Sequence, residues 1–195
     1  MPRGRPREFD IDQALDRALR VFWRKGYEGA TLPELTRAMG INRPSLYAAF
    51  GSKEELFRQA LDRYAEGPAG YLGEAMGEPT ARAVAERLLD GTIEVVTDRR
   101  NPRGCLLVQG ALACGETAES IRRELAARRL AGEAAIRKRF ERAIADGDLP
   151  GDSDPADLAR YIVAVMQGIA VQAASGANRA ELRQVAALAL RAWPN

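Results

Sequence analysis

Histidine is absent from this chain of 195 residues. Its absence removes both the commonest general base and the commonest metal ligand of proteins. The sequence also offers no pair of carboxylates for acid–base chemistry, no cluster of metal ligands, no nucleophile beside a base and no phosphate-binding loop. We therefore expect neither an enzyme nor a protein that needs a metal or another cofactor.

Cysteines and long apolar runs are also scarce. Cys105 and Cys114 are the two cysteines, nine positions apart in a segment with a helical pattern. At 1.5 Å per residue this places them about 13 Å apart, which is too far for a disulfide, so we expect reduced thiols.

No run approaches the roughly 18 apolar residues of a membrane-spanning helix. A cytoplasmic protein without a membrane partner is expected.

The charge is unevenly distributed. The composition is that of an ordinary globular protein, with 46% hydrophobic and 29% charged residues and a net charge of +2. Through Lys53 there are 10 Lys and Arg against 6 Asp and Glu, whereas the remainder has 19 against 21. The positive excess near the N-terminus favours a partner with phosphates, such as nucleic acid.

Capping signals between Thr31 and Lys53 mark two short helices and the beginning of a third. Thr31 with Glu34, and Ser52 with Glu55, each form a Ser/Thr-x-x-Glu capping box at a helix start. Between them Asn42 can cap a short helix from 43 to about 50. Two short helices joined by a tight turn containing glycine predict a helix-turn-helix motif.

A first helix precedes this motif. Asp10 is predicted to cap it and Gly26 to end it, and its apolar residues recur at intervals of three and four. They form a stripe that can pack against the next two helices, with Trp23 and Tyr27 predicted in the core. A three-helix unit is therefore expected around residues 11 to 50, preceded by an arm that contains Arg3 and Arg5. The arm can enter the minor groove of DNA or serve as a solubilising tail.

The rest of the chain is also helical in pattern, so the predicted fold class is all-α. A helix from Lys53 leads out of the first unit, and residues 67–80 are predicted to be a loop or a frayed helix. Further helices are expected at about 80–97, 105–114, 119–145, 156–174 and 179–193. We predict two domains, 1–52 and 53–195. The penultimate helix is apolar on nearly all sides, which predicts either a homodimer formed by the last two helices or a buried helix in a monomer.

The first quarter of the sequence resembles the TetR family of bacterial transcriptional regulators. The matching residues are Gly26-Tyr27, Thr31, Ala38-Met39-Gly40-Ile41, Ser45-Leu46-Tyr47, Phe50 and Lys53-Glu54-Glu55-Leu56. The resemblance implies a DNA-binding domain joined to a larger helical domain that binds a small effector and dimerises. It also implies that the helix from residue 43 enters the major groove of a double-stranded operator.

The resemblance assigns roles to individual residues. Thr31 and Lys53 stand at helix starts where phosphate binds, and Tyr47 is expected on the DNA backbone. Arg43, Pro44 and Ser45 occupy the first turn, which reaches base edges, and Arg43 can bind a guanine with two hydrogen bonds. Ala48 and Ala49 replace larger side chains of relatives. Specificity is therefore expected to depend on Arg43 and on the arm.

The larger domain is expected to hold the effector. A predicted lining, mainly apolar with a few polar groups, comprises Tyr64, Tyr71, Cys105, Gln109, Met166 and Gln167. The leading hypothesis is a homodimeric repressor released from a palindromic operator by a small molecule. Two alternatives are a thiol-based regulator switched through Cys105, where an inert buried thiol is the simpler state, and a helical interaction module without effector control.

Overall fold

The computed structural model describes residues 9–112 and 118–194. These residues form ten α-helices and no strand. The predicted residues Arg3, Arg5 and Cys114 lie outside the described part of the chain. In order, the helices are α1 (Ile11–Gly29), α2 (Leu32–Met39), α3 (Arg43–Phe50), α4 (Lys53–Glu66), α5 (Tyr71–Ala75), α6 (Ala81–Thr97), α7 (Leu106–Leu112), α8 (Glu119–Ala145), α9 (Pro155–Ala174) and α10 (Arg179–Arg191).

The predicted caps of the first four helices are confirmed. Asp10 accepts a hydrogen bond from the Gln13 amide, and Asn42 accepts one from the Ser45 amide at 2.8 Å. Both predicted capping boxes are present, at Thr31 before α2 and at Ser52 before α4. These bonds satisfy amide groups at helix starts that have no partner within their own helix.

Three segments differ in detail from the sequence-based prediction. The first helix continues to Gly29, although Gly26 breaks its geometry with a φ of 68°. The predicted loop at 67–80 contains the short helix α5. The helix predicted from Cys105 begins at Leu106, which is buried, while Leu107, Val108 and Gln109 are half-buried. Leu107 and Val108 are not fully covered because they line a cavity.

The apolar side chains form two clusters. The first joins α1, α2, α3 and α4 and includes Trp23, which is 1% exposed, and Phe57 against Phe22. It extends to Leu106 in α7 and to Ile121 and Leu125 in α8. The second joins α6, α8, α9 and α10. Because α4 packs against α1, the connecting helix shares the core of the N-terminal helices.

Candidate nucleic-acid interface and ligand cavity

Helix α3 has one buried face and one exposed face. Leu46 and Phe50 are 0% and 2% exposed and hold the helix against the core. The opposite face presents Arg43, Pro44 and Tyr47, and the Tyr47 ring is 47% exposed. Ser45 lies at the border of the two faces and is half-buried. This exposed face is the reading face that the sequence predicts for contacts with DNA.

The polar groups of the reading face are unpartnered within the part of the chain that the structure describes. Arg43 forms no ion pair there, and the Ser45 and Tyr47 hydroxyls form no hydrogen bond there. By contrast, the arginines of α8 are mostly paired with carboxylates on the same or neighbouring helices. An exposed side chain without a partner keeps its hydrogen-bonding capacity for another molecule.

Thr31 stands at the start of α2, where its hydroxyl donates a 3.0 Å hydrogen bond to Glu34. Glu34 also pairs with Lys25. The hydrogen bond from Lys25 and those from Thr31 lower the pKa of Glu34 to about 2. Thr31 is exposed, but its hydroxyl is already engaged in the capping box. The Thr31 and Glu34 amides are also engaged in the capping box and Pro33 has no N–H, so the Leu32 amide is the backbone donor left to meet a phosphate.

Lys53 begins α4, and its ammonium group lies 4.4 Å from the centre of the Tyr27 ring. Partial burial lowers the pKa of Lys53, and the nearby Glu28 carboxylate acts in the opposite direction. The cation–π contact orients the ammonium group at the helix start. The sequence-based reasoning identified Lys53 but not the ring that holds it.

Two further cations lie beside the turn between α2 and α3. Gly40 adopts a left-handed φ of 71°, and a methyl group built on it would lie 3.5 Å from the Arg17 guanidinium. Arg37 is exposed in the last turn of α2 and borders a shallow groove that continues to Arg43. Neither arginine was identified from the sequence, because their position beside the turn depends on how α1 and α2 pack.

A cavity of about 250 Å³ lies in the larger group of helices. Five of the six residues predicted for an effector line it: Tyr64, Tyr71, Cys105, Met166 and Gln167. Gln109 is not among the lining residues. Its amide donates a 2.9 Å hydrogen bond to the Arg103 carbonyl and fills the space above Gly104.

Two tyrosines supply hydroxyl groups to the wall of the cavity. The Tyr64 hydroxyl donates to the Cys105 sulfur at 3.4 Å, and the Tyr71 hydroxyl lies 3.0 Å from the Thr92 hydroxyl. Burial raises the pKa of both tyrosines well above the ordinary value of a phenol. Both rings are therefore uncharged at neutral pH.

Gly91 makes room for Tyr71. A methyl group built on Gly91 would lie 2.3 Å from a ring carbon of Tyr71, so the aromatic ring packs directly on the backbone of α6. The sequence-based reasoning missed both Gly91 and Thr92. A glycine inside an otherwise regular helical pattern was an available signal, because it costs helix stability and often marks a close approach.

The cavity is connected to the N-terminal helices by a buried hydrogen bond. The Trp23 indole in α1 donates to the Gly104 carbonyl at 2.8 Å, between residues 81 positions apart. The Trp23 ring also packs edge-on against Tyr64, with centroids 4.8 Å apart. Because Gly104 precedes Cys105, both contacts join α1 to the wall of the cavity.

Within the described residues there is no group of three or more side chains that could hold a metal ion. None of the helices described combines the length and hydrophobicity needed to cross a membrane.

Comparison with known proteins identifies the class of this chain. Residues 14–60 match the family described as bacterial regulatory proteins, tetR family, and residues 82–190 match the tetracyclin repressor-like C-terminal domain. The HTH-type transcriptional repressor ComR of Escherichia coli K12 is 34% identical over 195 residues, which cover 98% of this chain and 92% of ComR.

Two solved structures are similar over nearly the whole chain. A cysteine-substituted variant of the TetR-family regulator CifR, complexed with 26-bp double-strand operator DNA, is 47% identical with a TM-score of 0.93; 98% of this chain and 100% of that one are covered. A TetR regulator from Rhodococcus sp. RHA1 is 46% identical with a TM-score of 0.66, with 95% and 100% covered. The exposed helix-turn-helix and the matches in both parts of the chain agree: this protein belongs to the TetR family of bacterial transcriptional regulators.

Proposed function

We propose that this regulator is a homodimeric repressor that binds a palindromic DNA operator through α3 and is released by a small-molecule effector. A protein with this role would act in the cytoplasm, where the chromosome is. The observation that carries the DNA-binding part is the exposed face of α3, where Arg43, Ser45 and Tyr47 have no partner among the described residues. The proposal of a repressor also rests on the similarity to ComR, which is named a transcriptional repressor. The proposal of an operator rests on the similarity to CifR, whose structure is a complex with operator DNA.

Each predicted contact has a proposed role. Arg43 binds a base edge, with Pro44 and Ser45 beside it in the first turn of α3. Tyr47, Thr31 and Lys53 contact phosphates, Thr31 mainly through the start of its helix. Arg3 and Arg5 extend this contact along the DNA. Phosphate contacts position the protein, whereas contacts to base edges supply the sequence preference.

The test is fluorescence anisotropy with duplex DNA from upstream of the protein's own gene and with a scrambled duplex. Tighter binding to the upstream DNA is expected. The logarithm of the affinity should fall by about 0.9 per unit of log salt for each phosphate neutralised. Equal affinity for both duplexes would show that the protein binds DNA but does not recognise an operator in this upstream region. Absence of binding to either would favour the helical interaction module.

We propose a boundary at 52/53, with residues 1–52 as the DNA-binding domain and 53–195 as the effector and dimerisation domain. Helix α4 is then shared, because it begins the second domain while its apolar side lies in the core of the first. A rotation of α4 would therefore change the position of α3.

The last two helices are the proposed dimer interface. Helices α9 and α10 expose four large apolar side chains on this chain, namely Tyr161, Val171, Val185 and Leu188. A groove between the two helices lies beside Val185. Pairing these helices with their copies would bury these side chains in a four-helix arrangement. Light scattering on a Val185→Glu, Leu188→Glu variant should show a monomer. If the variant remains a dimer, the interface lies elsewhere.

The cavity is the proposed effector site, with Tyr64, Tyr71, Cys105, Met166 and Gln167 in its wall. Gln109, which lies outside the lining, would act indirectly by holding the Arg103 carbonyl. The Trp23–Gly104 hydrogen bond and α4 both connect this wall to the DNA-binding helices. An effector that shifts Tyr64 or Cys105 would therefore disturb the packing of α1 and α4.

A second candidate switch is the Cys105 thiol, because its sulfur lines the same cavity and accepts a hydrogen bond from Tyr64. N-ethylmaleimide is a suitable electrophilic probe. The sulfur adds to the C=C bond of the maleimide, and the thiol proton ends on the neighbouring carbon. If this switch operates, the reagent releases DNA from the wild type but not from Cys105→Ser. Mass spectrometry distinguishes reaction at Cys105 from reaction at Cys114.

A further inference from the structure

The cavity is mainly apolar and small. Its wall includes Leu72, Leu88, Val96, Ile136 and Val163. Its volume of about 250 Å³ lies just below the roughly 300–1,000 Å³ of pockets that hold drug-sized ligands. A ligand of this site is therefore compact, and most of its surface is apolar.

The charged side chains at the cavity all have partners, but Arg129 is held only by a carbonyl. Arg128 lies 2.7 Å from Asp62 and 2.8 Å from Glu124. Arg129 donates to the Leu107 carbonyl at 3.1 Å, and Glu133 lies 3.9 Å from Arg160. An ammonium ion would find no unpaired carboxylate here, and a carboxylate would find one guanidinium without an ion pair among the described residues, that of Arg129. Loss of hydration without a paired countercharge is costly beside apolar walls.

The hydrogen bonds at Tyr71 have a definite direction. Thr92 donates its single hydroxyl proton to the Leu88 carbonyl at 2.8 Å. Tyr71, whose oxygen lies 3.0 Å from the Thr92 oxygen, must therefore be the donor of that pair. The Tyr71 hydroxyl proton is therefore engaged with Thr92, and only the lone pairs of the Tyr71 oxygen remain available to a ligand. This end of the cavity can accept a hydrogen bond but cannot donate one.

The remaining polar groups agree with this assignment. The Tyr64 hydroxyl donates its proton to the Cys105 sulfur, so this oxygen also retains only acceptor capacity. Gln167 lines the cavity, and its amide makes no hydrogen bond to the residues that the structure describes. A hydroxyl group on a ligand could donate to a tyrosine oxygen and accept from the Gln167 amide.

We propose that the cavity selects an uncharged, mainly apolar molecule that carries a hydroxyl group or another neutral hydrogen-bond donor, which is held at Tyr71. The proposal rests on the effector role of this cavity. It narrows that role to one chemical class. It excludes ammonium ions, which find no unpaired carboxylate, and carboxylates, whose acceptor oxygens would face the acceptor oxygen of Tyr71.

The test compares four probes with one carbon skeleton: benzyl alcohol, toluene, benzoate and benzylammonium. Calorimetry on the free full-length protein should show that benzyl alcohol binds most tightly. Toluene lacks the donor and should bind about threefold to tenfold more weakly, the range that one neutral hydrogen bond supplies. Benzoate and benzylammonium should bind at least about tenfold more weakly, because each loses hydration on entry.

Variants locate the selectivity. Tyr71→Phe should bring the affinities for benzyl alcohol and toluene within about twofold of each other while leaving toluene binding unchanged. Ser120→Ala, which removes an exposed hydroxyl group of α8 outside the cavity lining, is the matched control and should change neither. Gly91→Ala pushes the Tyr71 ring into the cavity and should weaken all four probes.

Several results would overturn the proposal. They are binding of benzoate or benzylammonium as tight as that of benzyl alcohol, equal binding of toluene, no binding of benzyl alcohol at millimolar concentration, and unchanged selectivity in Tyr71→Phe. Operator binding is measured separately by anisotropy. If the protein binds no operator, the proposed function fails while the selectivity stands. If operator release responds to benzoate and not to benzyl alcohol, the ligand class fails while the DNA-binding function stands.

Discussion

The polar groups on the reading face of α3 and those in the cavity differ in whether they already have hydrogen-bond partners. On α3, Arg43 and Tyr47 are exposed and without partners among the described residues, whereas the cavity hydroxyls of Tyr64 and Tyr71 already donate to neighbouring atoms. A surface for a charged polymer can leave cations hydrated until the polymer arrives. Apolar cavity walls favour the opposite arrangement, since each unpaired buried polar group costs free energy there. The difference supports the two proposals above, which assign DNA to α3 and a small neutral molecule to the cavity.

The largest expected effect tests the proposed phosphate contacts, Tyr47 on the reading face and Lys53 at the start of α4. A Tyr47→Ala, Lys53→Ala double variant should lose at least about 30-fold in affinity for all DNA sequences, because it removes one neutral and one charged hydrogen bond to phosphate. Anisotropy measures this loss, and circular dichroism checks the fold. Arg142→Ala, an exposed arginine of α8, is the control. If the double variant keeps sequence-specific binding, the assignment of α3 as the DNA-binding helix is wrong.

Replacing Arg43 separates base recognition from charge. Arg43→Ala should cost about 1–3 kcal/mol of discrimination, or about fivefold to 150-fold, at one base pair. Arg43→Lys keeps the charge but loses the planar fork, so it should restore overall affinity without restoring the base preference. Competition between operator duplexes with single substitutions measures both. If lysine restores the preference, Arg43 is a phosphate contact.

Replacing Trp23 tests whether the two regions communicate. Trp23→Phe keeps an aromatic ring near Tyr64 but leaves the buried Gly104 carbonyl without its donor, which should cost about 1–3 kcal/mol of the free energy of unfolding. We expect benzyl alcohol to bind the free variant as before but to release DNA severalfold less effectively. Denaturant unfolding, calorimetry and anisotropy measure the three quantities.

The matched control for this prediction is Trp193→Phe. Trp193 is equally buried, but it lies in the second cluster and its indole has no hydrogen-bond partner among the described residues. It should leave DNA release unchanged. Equal effects of the two substitutions on release would mean that the loss comes from general destabilisation rather than from the Gly104 contact.

The smallest effect concerns the start of α2. The pKa of Glu34 is lowered from 4.5 to about 2 by Lys25 and Thr31, so its contribution to stability is complete above pH 4.5 and is lost as the pH falls towards 2. Glu34→Gln should flatten the dependence of the melting temperature on pH in this window. A pH dependence identical to that of the wild type would show that other carboxylates dominate it.

Short-range chemistry explains what could be predicted. The caps at Thr31, Asn42 and Ser52 involve partners three positions away, so they are visible in the sequence as fixed spacings. The helices and the helix-turn-helix follow from such spacings and from the apolar periodicity of about 3.6 residues. Five of the six residues predicted from the sequence line the cavity, and Gln109 does not. The sequence pattern indicates which segments can form the wall of a cavity, but it does not specify which side chains of a segment face inwards.

The sequence by itself therefore determined most of the helices, the caps of the first four, the basic first turn of α3 and the family. Only the tertiary structure decided the rest: the Trp23–Gly104 hydrogen bond across 81 positions, the Tyr64–Cys105 contact across 41, and the packing of Tyr71 on Gly91. The physical reason is the range of the interactions. A cap depends on the backbone that carries it, whereas a cavity depends on how several helices pack, which no local spacing specifies.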